Sequence, residues 1–179
     1  MTSRLNTYDL NDRLETVMHK FMYSVAHYLW FARPWSGADA QPTADALKSL
    51  GESHRDHIRR LGELLISRRR HIPKGSFPAA FTGLNDLSVQ YVVPLAIEDE
   101  NKIIRLLEAA AAELKLDSEA HTLLTEIIGS EKRHLQTLQA ASNDRRAARA
   151  RSPVRPPRWS SLRRPTSTVG RGIRASATR

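Results

Sequence analysis

Four stretches of the chain place apolar side chains at every third or fourth position, the period of a helix that buries one face. The first covers residues 12–33, with Leu14, Val17, Met18, Phe21, Val25, Tyr28, Leu29 and Ala32 in line. The second covers 43–69, with Leu47, Leu50, Leu61, Leu64 and Leu65. The third covers 84–114 through Val93, Ala96, Ile97, Ile103, Ile104 and Leu107; Pro94 inside it should kink the helix or mark its true start. The fourth covers 118–141 through Ile127, Ile128, Leu135 and Leu138, with Asp117 or Ser118 as its N-cap. No stretch alternates with period two, and none repeats at the spacing of a solenoid. The pattern predicts an all-α four-helix bundle.

The links between these helices set the topology. "PWSGADAQP" and "KLD" are short, which favours antiparallel neighbours. "RHIPKGSFPAAFTG", between the second and third helices, is longer and rich in Pro and Gly. A helix of 25 residues is roughly 37 Å long, and 14 extended residues reach roughly 46 Å. The link can therefore run back along the bundle, leaving helices two and three parallel. A plain up-and-down bundle with a loose loop is the alternative.

Each inner stripe carries side chains that do not belong in a core. His54 and His57 lie in register with the leucines of the second helix. Glu100 lies in line with Val93, Ile103 and Leu107 of the third, and Glu131 and His134 with the apolar face of the fourth. Glu52, Asp56, Glu63 and Glu98 fall on other faces, among Arg and Lys, and read as solvated. Burying a carboxylate or an imidazolium is costly unless something satisfies it. Imidazole plus carboxylate is a ligand set for iron, manganese or zinc, so one reading is a shared cation held by His54, His57, Glu100, Glu131 and His134. The other is a buried His–Glu hydrogen-bond network without metal.

Composition and charge narrow the setting. The 179 residues are 40% hydrophobic and include no Cys, which excludes disulfides and thiolate metal sites. No apolar run approaches the 18 or so residues of a membrane span, and the first residues lack the apolar core of a signal peptide. The expected location is the cytoplasm. The net charge of +9 is unevenly spread. Residues 143–179 hold eleven Arg and one acid, Asp144, and so carry +10, whereas residues 1–142 carry −1. Two units follow: a bundle over 1–142, and an Arg/Pro/Ser-rich tail over 143–179 expected to be disordered alone. Such an arm suits nonspecific nucleic acid through phosphate contacts, with Trp159 available for stacking. A neutral tail shaped by base composition is the bland reading. Trp30, Phe31 and Trp35 are expected in the core or at a dimer contact. No strand precedes a Gly-rich phosphate loop, and no Ser/His/Asp nucleophile arrangement stands out.

Residues 10–140 resemble the ferritin-like superfamily, close in pattern to bacterioferritins. That family carries Glu on its first helix, Glu-x-x-His on the second, Glu on the third and Glu-x-x-His on the fourth. "SEKRHLQTL" matches the fourth-helix motif through Glu131 and His134, "AIEDENKIIRLL" resembles the third through Glu100, and "SHRDHIRRLGELL" resembles the second, with His57 at its His. Two positions depart: His54 stands where the family has Glu, and alignment through Tyr28 puts Phe21 at the first-helix Glu. The resemblance implies a ferritin-like bundle with a degenerate di-iron site, binding iron (or manganese or zinc) at one ion per chain. Oxidation of iron or consumption of peroxide would be its reaction, and a homo-oligomer its assembly. Haem is not expected, Met18 and Met22 notwithstanding. A non-catalytic assembly module, and a DNA-associated mini-ferritin acting through the tail, are the other functions it admits.

Overall fold

The first apolar stripe does not run through as one helix. In the computed structural model, which describes residues 7–72, 74–75 and 78–151, it divides into α1 (Thr7–Met22) and α2 (Val25–Ala32). Ser24 between them is extended (φ −82°, ψ 153°), and its Oγ accepts the His27 N–H as an N-cap. Asp99 reaches across from a later helix to accept the Val25 N–H at 2.9 Å, and Lys20 pairs with the same carboxylate. Cap and carboxylate between them satisfy donors that a helix start leaves orphaned. α2 ends where Arg33 enters the left-handed region (φ 48°) and donates its N–H back to Leu29 O, a turn that Pro34 cannot continue as helix.

Three long helices complete the molecule: α3 (Gln41–Ser67), α4 (Val89–Glu113) and α5 (Ser118–Arg151). Pro42 opens α3 within its first turn, where the missing N–H costs nothing. α4 begins five residues before Pro94, so Pro94 lies inside the helix and does not start it. Asp117 caps α5 by accepting the Ala120 N–H at 3.2 Å. α5 then continues past the expected end at 141 to Arg151, and Arg145 pairs with Asp39 in the 3-10 turn (Ala38–Ala40) just before α3. Those first residues of the expected unfolded arm are helical. Residues 152–179, the rest of that arm with Trp159, lie outside the described residues. No strand occurs among the described residues, and no helix among them is long and apolar enough to cross a membrane.

Two apolar clusters show how the helices run. At one end Leu14, Val17, Met18 and Phe21 of α1 meet Leu61, Leu64 and Leu65 near the end of α3. The last turns of α4 (Leu107, Ala111, Leu114) and the first turns of α5 (Leu124, Ile127) complete that cluster. At the other end Val25, Ala26 and Leu29 of α2 meet Leu47 and Leu50 near the start of α3, Val89, Val92 and Val93 at the start of α4, and Leu138 late in α5. α3 and α4 therefore begin at the same end and run parallel. In the link between them a 3-10 turn (Ala79–Leu84) rests against α2 through Phe81 and Tyr28. This is the one-crossover bundle. Between the two clusters lies a layer that is buried but not apolar.

Candidate metal centre

Four of that layer's side chains are ionisable and buried: His54 and His57 from α3, Glu100 from α4 and Glu131 from α5. They sit near mid-helix because the apolar residues of each stripe bracket them, Leu50 and Leu61 on α3, Ala96 and Ile103 on α4, Ile127 and Leu135 on α5. Burying the apolar neighbours carries the polar groups inward with them.

His54 occupies the centre. Its Nε2 is 2.9 Å from Glu100 Oε2 and 3.3 Å from Glu131 Oε2, and its Nδ1 is 2.7 Å from Ser24 Oγ. His54, Glu100 and Glu131 each offer a ligand atom within 4.8 Å of the others. His57 holds the far oxygen of the same carboxylate, its Nε2 lying 2.6 Å from Glu131 Oε1 and 3.0 Å from Ser53 Oγ, while Ser53 donates to Glu131 Oε1 at 2.9 Å. Phe21 presents its ring in edge-on contact with both imidazoles, at centroid distances of 4.9 Å to His54 and 5.5 Å to His57.

His134 is placed differently. It is half-buried and lines a cleft of about 470 Å³ between α3 and α5, beside His57, Ser53, Glu126 and Arg133. It stands at the cleft end of the layer and does not join the three-residue convergence. Sequence reasoning passed over Ser24 and Ser53. Ser24 ahead of an apolar run had the form of an N-cap, and Ser53 lies one turn before His57, so both left a signal.

The electrostatics follow from crowding charge into a dry layer. Burial works against a charged His54, but the Glu100 hydrogen bond and the close carboxylates of Glu100 and Glu131 outweigh it and hold the imidazole up at about 9. Burial pushes Glu100 up to about 7, against the pull of His54. Burial would raise Glu131 too, yet the imidazoles beside it, His54 at 3.3 Å and His57 at 2.6 Å, carry it well below the usual carboxylate range. Burial lowers His134.

Not every acceptor in the layer finds a donor. Glu100 Oε1 and Glu131 Oε2 are enclosed without a hydrogen-bond partner; Oε2 of Glu131 is near His54 but out of line for a bond. An unpaired buried acceptor costs about 1–3 kcal/mol, more when charged. A cation touching both carboxylates and the imidazole nitrogen would satisfy all three, and two carboxylates match the charge of one divalent ion. The donor set therefore fits a single transition-metal ion.

The sequence model of a family described as a ferritin-like domain matches residues 11–147. No curated protein matches the chain.

Proposed function

Since the chain belongs to the ferritin-like domain family, we propose that it binds one transition-metal ion per chain in its central layer, with iron the first candidate and manganese or zinc the alternatives. His54, Glu100 and Glu131 hold the ion; His57, with Ser53, fixes Glu131 from behind. The reading rests on one observation above the rest: two enclosed carboxylate oxygens without donors, on side chains that share a single imidazole.

Iron in a mixed nitrogen and oxygen donor set supplies one-electron redox chemistry. The protein's own residues do the rest. Glu100, raised by burial, exchanges a proton for the cation; Phe21 and the two leucine-rich clusters keep bulk water from the layer; His134 and Ser53 line the cleft through which a hydrated ion approaches from α3 and α5. Phe31 and Trp35, 61% and 72% exposed, are not core and give the oligomer of the family an apolar face to use.

The test is elemental analysis of the full chain produced with iron, manganese or zinc, followed by cobalt(II) titration of the stripped protein. About one equivalent per chain is expected, lost in Glu131→Ala. A helical, stable protein that retains no metal and takes up no cobalt would overturn the proposal.

A further inference from the structure

We propose that Ser24 is a positioning residue for His54, and that the interruption between α1 and α2 is what delivers it. The inference rests on the metal reading above for its purpose, though not for its geometry. An imidazole has two nitrogens on opposite sides of the ring. A half-turn about its χ2 swaps Nδ1 with Cδ2 and Nε2 with Cε1, and so sets carbon atoms where the nitrogens face Glu100 and Ser24. The aromatic neighbour offers no preference, since the edge-on Phe21 ring at 4.9 Å has no polar atom with which to choose. Ser24 Oγ, 2.7 Å from Nδ1, fixes that choice from the side of the ring away from the carboxylates. Both residues are fully buried, so solvent cannot replace the hydroxyl.

Ser24 could not do this inside a continuous helix. There a serine hydroxyl tends to bond back to the carbonyl one turn earlier. At the break its extended backbone instead turns Oγ toward both the His27 N–H, at 3.1 Å, and His54. The break itself is held from α4: Asp99 accepts the Val25 N–H, and Lys20 pairs with the Asp99 carboxylate. Asp99 directly precedes Glu100. One register of α4 therefore places the acid in the centre and the support for the residue that aims His54 at it. Groups that orient a metal-binding His through its other nitrogen change metal affinity by about 10–100-fold when removed.

Ser24 also caps α2, so the variants must separate capping from aiming. Glycine caps nearly as well as serine, while alanine does not; neither has a hydroxyl. Threonine keeps both roles. Cobalt(II) and zinc(II) affinities of the full chain are measured for Ser24→Ala, Ser24→Gly and Ser24→Thr, beside 15N and 1H resonances of the His54 ring. Affinity is expected to fall about tenfold or more in both Ala and Gly and to stay near wild type in Thr. In the metal-free chain, His54 should give one sharp set of ring resonances in the wild type and Thr, and a doubled or broadened set in Ala and Gly. Wild-type affinity in Ser24→Gly would overturn the proposal, because capping alone would then explain the serine. Should the wild type bind no metal, the metal reading falls by itself, and Ser24 is still judged by the metal-free spectra: an unchanged single set in Ala and Gly would refute it.

Discussion

Phe21 is the side chain on which the capacity of the layer turns. It is fully buried and touches both buried imidazoles edge-on. Replacing it with glutamate sets a third carboxylate against His54 and His57. Without metal that charge has no solvent and no cation, and burying it is expensive; with metal it completes a second donor set. Phe21→Glu should therefore be less stable than wild type when stripped, and should bind about two equivalents of zinc or cobalt where the wild type binds about one. Equilibrium dialysis with elemental analysis reads the stoichiometry. A variant that still binds one equivalent would show that something other than Phe21 limits the layer. Four buried ionisable residues were legible from spacing alone. Their ranking was not: His54, one of two imidazoles on its stripe, proves to be the hub, and His134, in a recognisable motif, proves to line the cleft. Spacing assigns a helix face, but a face does not fix depth along the inter-helix axis.

At the scale of elements, the ends that close the bundle depend on charge. Arg68, just past α3, grips Asp117 through two nitrogens, one at 2.9 Å from Oδ1, and also reaches Glu119. The same Asp117 caps α5. The Arg68 bond outweighs partial burial and holds this carboxyl below its ordinary value. A depressed folded pKa adds stability above the unfolded carboxylate range and loses it as pH falls. Wild type should exceed Asp117→Asn in Tm by about 3–6 °C at pH 7, taking the charged bond alone as about 1.5 kcal/mol because asparagine still caps. The gap should close below about pH 4. A thermal scan series from pH 7 to 3 checks it, and a gap that persists unchanged at pH 3 would contradict it. The cap at Asp117 and the parallel run of α3 and α4 were both legible, since one is local and the other follows from link length. The break at Ser24 was not, because its decisive partner, Asp99, lies 74 residues away in sequence. Nor was the extension of α5 to Arg151: an Arg-rich composition reads as unfolded, yet Arg145 is tied to Asp39 by the fold.

For the molecule as a whole, the core is two apolar clusters with a charged layer between them. Either cluster gains free energy from burial in the ordinary way. The layer gains less that way, because it is built of two imidazoles and two carboxylates, each carboxylate with one oxygen lacking a hydrogen bond. A ligand that binds only the folded layer must then stabilise the entire chain, by about 2.7 kcal/mol at a hundred times its Kd. For a protein of this size that is about 5–10 °C in Tm. Stripping the metal with a chelator should lower the wild-type Tm by that amount, and returning zinc or iron should restore it. Glu131→Gln removes the carboxylate charge that links His54 to His57 while keeping its volume, so its Tm should be indifferent to chelator and metal alike. If wild type and Glu131→Gln respond equally, metal is binding elsewhere, and the layer is an unsatisfied network that the two clusters merely tolerate.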